Sequence, residues 1–170
     1  DRFQKMFDRE KFDGSAEISF VADAEGNPLA HTVVGTMMRI DLPAGLNSGE
    51  SVAFKIDWSH RINDHKLVGG RVGYEFFEKD GNTIYEMAQW FPRMAAYTDV
   101  TGWQHKQFIG SGEFTLEFGD YCVAITVPDD HIVASTGVLQ NPEDVLTEAQ
   151  RERLSNCDDS PEAHFIVTPE

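Results

Sequence analysis

Cysteine is scarce in this chain of 170 residues: there are two, Cys122 and Cys157. Cys122 lies inside an alternating apolar pattern and Cys157 in a polar stretch. They form no C-x-x-C redox or zinc pair, and they read as two unpaired thiols rather than a disulfide. Basic residues are scarce as well. Lys plus Arg is 14 against 29 Asp plus Glu, a formal net charge of −15. Such a surface repels a phosphate backbone and anionic lipid, which argues against nucleic acid and a membrane surface as partners. Long apolar runs are missing: none approaches the ~20 residues that a spanning helix needs. The first residues, Asp1 to Lys11, lack the pattern of a signal peptide.

The signatures of self-contained chemistry are missing too. The six histidines are His31, His60, His65, His105, His131 and His164. None begins a His-Glu-x-x-His motif, and no pair sits four apart on a helix. The densest cluster is His60 and His65 with Asp57 and Asp64, which reads as a polar strand end and loop before it reads as a metal site. Calcium loops, a Gly-x-Ser-x-Gly elbow, a dinucleotide fingerprint and a phosphate loop are all absent. Gly110-Ser111-Gly112 resembles a flexible way into a strand more than a nucleophile. Carboxylates are plentiful, but no acid pair for glycoside chemistry stands out among 29 candidates.

What is present is a folded composition with a period of two. Hydrophobic residues make up 41% and aromatics 11%, including 12 Phe, which argues against disorder. The length suits one domain, residues 1–170, able to bury about 70% of its unfolded surface without a disulfide or metal staple. Val52, Phe54, Ile56 and Trp58 alternate with Ala53, Lys55 and Asp57, so one face of a strand is apolar. Phe114, Leu116 and Phe118 alternate likewise, Gly119-Asp120 interrupts, and Tyr121, Val123, Ile125 and Val127 resume. This predicts a hairpin, since Gly accepts the positive φ of a tight turn. A second hairpin is expected around Asp80-Gly81-Asn82, joining Gly70–Glu78 to Thr83–Met87. A third turn, Glu25-Gly26-Asn27-Pro28, separates Ile18–Val21 from a long run over His31–Leu42. Pro128 ends the strand before it, and His131–Leu139 reads as another.

Together these segments predict an all-β fold, an antiparallel β-sandwich or related open sheet of roughly eight strands. One short helix is expected within 141–155. It starts either at Asn141-Pro142-Glu143-Asp144, with proline at the first helical position, or at Thr147 with Gln150 completing a capping box. Arg151 and Arg153 fall near its C-terminal end, where the helix dipole favours cations. His164–Thr168 looks like the beginning of a further strand. With no Met at the start and this last pattern incomplete, the sequence is expected to be an excerpt, residues 156–170 opening a further segment. The least regular part, Trp90–Gly112, holds two of the three tryptophans, Trp90 and Trp103. It is either a packed surface loop, the blander reading, or a binding loop.

One series of residues is distinctive: Gln89-Trp90-Phe91-Pro92-Arg93, then Tyr97, Asp99, Gly102-Trp103 and Gly112-Glu113-Phe114. It continues through Phe118-Gly119-Asp120-Tyr121, Ile125-Thr126-Val127-Pro128 and Ala134-Ser135-Thr136-Gly137. Upstream, Gly35-Thr36-Met37-Met38-Arg39-Ile40, Leu42-Pro43 and Gly49-Glu50 fit the same frame. The series resembles the N-terminal β domain of bacterial zinc aminopeptidases of the aminopeptidase N family, in a divergent branch with a Gln-Trp-(Tyr/Phe)-Pro segment. The resemblance covers residues 30–142.

The resemblance implies a saddle-like antiparallel β structure that leans over a separate catalytic domain. That domain would carry the zinc, the His-Glu-x-x-His helix and a Gly-x-Met-Glu-Asn segment, none of which occurs in this chain. The chain alone is then expected not to hydrolyse peptides and to hold no cofactor, its partners being the catalytic domain of the same polypeptide and the N-terminus of a peptide substrate. Relatives of this branch are often exported, which implies a periplasmic or secreted location. By the same resemblance Gln89 is the position that accepts the substrate's α-ammonium group, fixing the scissile bond one residue inside. The family's usual pattern has two acceptors two positions apart before an Ala, whereas Met87 and Trp90 occupy those places here. The alternative for Gln89 is an edge-strand polar residue bonding the backbone. Trp90 and Phe91 either wall the same pocket or pack between domains. A different class of function is also consistent with the pattern: a stand-alone β-sandwich module that binds carbohydrate or protein.

Overall fold

Apolar–polar alternation makes a strand only where a neighbour of matching register completes the ladder. A computed structural model of the chain describes residues 13–69, 71–107, 115–157 and 160–168. Among them the ladders form four antiparallel pairs. β1 (Ala16–Asp23) pairs with β4 (Phe54–His60), and β2 (His31–Val34) pairs with β3 (Met37–Ile40). β5 (Val72–Phe77) pairs with β6 (Asn82–Met87), and β7 (Tyr97–Thr98) pairs with β8 (Gly102–Trp103). The helices are short: α1 (His65–Val68), α2 (Pro142–Val145) and α3 (Glu148–Ser155). The chain is thus β-rich, built of small antiparallel ribbons. No helix among the described residues is long and apolar enough to cross a membrane. It divides into two compact units, Asp1–Asp120 and Tyr121–Glu170.

The first unit holds the ribbons. In β4 the predicted alternation is realised, with Phe54, Ile56, Trp58 and His60 half-buried and Lys55, Asp57 and Ser59 exposed. Its partner β1 carries a bulge: Ile18 faces Trp58 and Phe20 faces Asp57, leaving Ser19 over. The Ser19 hydroxyl donates to the Asp57 carbonyl at 3.1 Å, which occupies the extra residue. The bulge switches parity along β1, so Ala16 and Ile18 share a face with His60 and Trp58, while Val21 shares one with Ile56. Val21 and Ala22 are buried, as are Leu29 and Ala96. Leu29 reaches that position because its N–H donates to the Val21 carbonyl at 2.9 Å across the predicted turn. Asp23 closes the turn, accepting from the Asn27 N–H at 2.8 Å and the Asn27 amide at 2.9 Å.

The Asp80-Gly81 hairpin forms as expected, running Val72↔Met87 to Phe77↔Asn82. The His31–Leu42 run does not stay one strand. It folds on itself at Gly35-Thr36, where Gly35 takes φ 57°. The Gln107 side chain sits over that turn, donating to the Val34 carbonyl at 2.7 Å and accepting from the Thr36 N–H at 2.9 Å. A Cβ on Gly35 would run into the Gln107 amide, so this turn requires glycine twice over.

The 114–127 hairpin is a correction. Phe114 and Gly110–Gly112 lie outside the described residues, as do Gly70 and Asp1–Lys11. Leu116 makes its bridge with Ala95 instead of a residue beyond Gly119-Asp120. Tyr121–Val127 enters no strand, nor does His131–Leu139. With one side of Leu116 committed to Ala95, the alternation finds no ladder to join, and period two alone does not hold a strand.

In the second unit the single predicted helix is two. Pro142 starts α2, which ends when the Leu146 N–H bonds back to Pro142 and Leu146 turns to extended backbone. Thr147 then caps α3 by the complete capping box with Gln150: the Gln150 N–H donates to the Thr147 hydroxyl at 3.3 Å, and the Thr147 N–H to the Gln150 side chain at 2.9 Å. Both predicted starts are therefore used. The expected strand over His164–Thr168 is absent. Arg153 of α3 instead holds this stretch, donating to the Ile166 carbonyl at 3.3 Å and the Thr168 hydroxyl at 2.9 Å. Cys122 is exposed and Cys157 half-buried, and both are free thiols.

Candidate functional site

β6 ends at Met87, and two residues later the backbone turns through Gln89 with φ 53°. Gln89 is the single non-glycine residue among those described with positive φ. For an L-residue that left-handed backbone costs about 1–2 kcal/mol. The side chain it carries is exposed and makes no hydrogen bond among the described residues.

The turn delivers Trp90 and Phe91 into a row of rings. Trp90 meets Trp58 of β4 with centroids 5.8 Å apart and planes at 43°. Trp58 in turn stacks on His60 at 5.6 Å and 10°, because residues two apart on a strand share a face. On the other side Trp90 meets Phe91 edge-on at 5.0 Å, and the Arg93 guanidinium lies 5.8 Å from the Phe91 centroid. Trp90, Phe91, Trp58 and His60 are all half-buried. The row runs Arg93–Phe91–Trp90–Trp58–His60 and ties the segment after β6 to β4. Trp103 takes no part in it. It packs edge-on against Tyr97, its cross-strand partner, at 5.2 Å.

At the His60 end of the row lies an open cleft of ≈ 240 Å³, lined by Asp13, Ser15, Glu17, Ser59, His60 and Arg61. Its backbone is fixed from behind by Asn63, the one buried polar residue among those described, 9% exposed. The Asn63 amide donates to the Asp13 carbonyl at 2.8 Å and to the Arg61 carbonyl at 3.3 Å. Its own carbonyl accepts from the Tyr74 N–H at 2.9 Å, and a Cβ on Gly73 would come within 2.7 Å of that oxygen. Within the cleft the Ser15 hydroxyl and N–H both donate to Asp13 Oδ1, at 2.6 and 3.0 Å. These bonds hold the Asp13 carboxyl below the usual carboxylate range, with a smaller pull from Arg61.

His60 was weighed from the sequence only as part of a metal cluster, and neither Trp58 nor the cleft was singled out for function. The signal was there in period two: Trp58 and His60 on one face of a strand, and Asp13, Ser15 and Glu17 alternating into the next. His60, His65, Asp57 and Asp64 do not gather. His60 is taken by Trp58, and Asp64 caps α1 by accepting from the Lys66 N–H at 2.9 Å. Among the described residues no three His, Cys, Asp or Glu side chains come together to hold a metal ion. Compared with known protein families, curated proteins and solved structures, the chain matches none.

Proposed function

We propose that the chain is the non-catalytic N-terminal β domain of a zinc aminopeptidase, a saddle-like antiparallel sandwich that docks on a catalytic domain and helps to hold the free N-terminus of a peptide. The observation that carries this reading is the backbone of Gln89, left-handed at φ 53° with an exposed amide at its tip. Residues held in sparsely populated conformations gather at ligand clamps, where the surrounding structure keeps the strain in place. Here the Trp90–Trp58 and Trp90–Phe91 contacts anchor the turn immediately after Gln89. An amide oxygen so presented accepts hydrogen bonds from an ammonium group. Fixing that group sets which peptide bond meets the reacting atoms. A zinc ion held by the catalytic domain would supply Lewis-acid chemistry and an activated water there. Trp90 and Phe91 act beside Gln89 as a rigid wall.

Two observations test the reading. The complete reading frame that holds these residues should encode a His-Glu-x-x-His helix, and a frame with neither that motif nor a degenerate remnant overturns the proposal. The 170-residue chain by itself should release no chromophore from amino-acid anilides. Stoichiometric zinc together with anilide hydrolysis by this chain alone would mean that the reaction centre lies within it.

A further inference from the structure

The cleft at the end of the β1–β4 ribbon has a lining that the docking reading leaves unused. Two carboxylates, Asp13 and Glu17, one guanidinium, Arg61, and two hydroxyls, Ser15 and Ser59, line it together with His60. An anion meets Asp13 and Glu17 and a chain of net charge −15, and a cation with no acceptor of its own leaves the Arg61 guanidinium unanswered. A ligand that carries both charges a few ångströms apart is attracted by each. The size agrees: ≈ 240 Å³ lies below the roughly 300–1,000 Å³ of pockets for drug-sized ligands.

The groups available for bonding have the right complement. Asp13 Oδ1 is committed to Ser15. The Glu17 carboxylate, the Ser59 hydroxyl and the Arg61 guanidinium make no hydrogen bond among the described residues. Glu17 and Ser59 are register partners across the ribbon, so an acceptor and a hydroxyl stand directly opposite each other. The backbone beneath is not loose, because the buried Asn63 amide holds the carbonyls of both Asp13 and Arg61. His60, backed by Trp58, adds a flat apolar surface at one side. We propose that this cleft binds a free α-amino acid as its zwitterion. The ammonium group lies on Glu17 and Asp13, the carboxylate on Arg61 and Ser59, and the side chain against His60. The proposal concerns one end of the β1–β4 ribbon and the residues that flank it, and stands whether or not the chain belongs to a peptidase.

The test titrates the 170-residue chain at pH 7 with L-phenylalanine, following the backbone amide resonances of Glu17, Ser59 and Arg61. N-acetyl-L-phenylalanine lacks the ammonium group, L-phenylalaninamide lacks the carboxylate, and methyl glucoside is a neutral polyol of similar size. Saturable shifts are expected with phenylalanine. Removing either charge should weaken binding roughly tenfold or more, as for the loss of a charged hydrogen bond. The glucoside should leave the spectrum unchanged. Glu17→Gln should narrow the difference between phenylalanine and its N-acetyl derivative, and Arg61→Ala that between phenylalanine and its amide, in spectra otherwise still dispersed. No saturable shift up to the solubility of phenylalanine, equal binding of all three amino-acid compounds, or preferential binding of the glucoside would each overturn the proposal.

Discussion

Asn63 and Gln89 show how much a single side chain decides in this molecule. The Asn63 side-chain amide ties the carbonyl of Asp13, three residues before β1, to that of Arg61, just after β4, and the Asn63 backbone carbonyl accepts from Tyr74 of β5. Replacing it with alanine strands two carbonyls and should cost about 1–3 kcal/mol. Urea denaturation of Asn63→Ala checks this, and an unchanged midpoint would remove Asn63 from its structural role. Nothing in the local sequence announces that role, because the Asp13 carbonyl is fifty residues away in the chain. Gln89 was singled out only through a resemblance to a family position, and its left-handed backbone follows no propensity rule. Asp23 gives a titration test. The Asn27 amide and N–H hold its carboxyl below the ordinary carboxylate range. The turn is therefore favoured above the unfolded-state carboxyl pKa, and that contribution is lost as pH falls through the lower folded value. A carboxyl-detected NMR titration should place the Asp23 midpoint below those of free aspartates, and Asn27→Ala should move it back up.

At the scale of elements, strands were legible wherever the turn chemistry and the partner both lay nearby. The Asp80-Gly81 turn sits between two runs of matching length, and the ladder from Val72↔Met87 to Phe77↔Asn82 follows from it. The capping box at Thr147 and Gln150 was equally readable, since all its atoms lie within four residues. Three things were not. The Ser19 bulge hid the parity switch of β1, the Gly35 turn lay inside an apparently continuous run, and Leu116 found Ala95 in place of a hairpin partner. The bulge and the Leu116 bridge depend on contacts far along the chain, and the Gly35 turn is covered by Gln107, seventy-odd residues on, none of which alternation encodes. Gly73 makes a sharp test of the β5 register. Its φ of 125° and the Asn63 carbonyl 2.7 Å from a built Cβ leave no room for a methyl group. Gly73→Ala should cost about 2–4 kcal/mol, combining backbone strain with overpacking. A thermal midpoint equal to that of the parent chain would contradict the packing of β5 on Asn63.

For the whole molecule the telling feature is how little apolar surface is covered. The buried hydrophobic residues among those described are Val21, Ala22, Leu29 and Ala96, all in the first unit. The second unit buries no described residue, and Val123, Ile132, Val138 and Phe165 stand at 52%, 72%, 82% and 83% exposure. Exposed apolar residues on this scale fit a domain that completes its burial against a neighbour, as the proposed docking on a catalytic domain requires. The alternation over 121–127, read from the sequence as a hairpin arm, joins no ladder among the described residues. The most direct measurement uses the full-length polypeptide that the proposal requires, in which a zinc domain would be joined to this chain. There, kcat/KM for an amino-acid anilide is compared between the parent and Gln89→Ala, with zinc counted in both. Losing a charge-assisted hydrogen bond of about 1.5–3 kcal/mol should lower kcat/KM roughly ten- to a hundredfold, with zinc content unchanged. An identical kcat/KM in the two proteins would contradict the account.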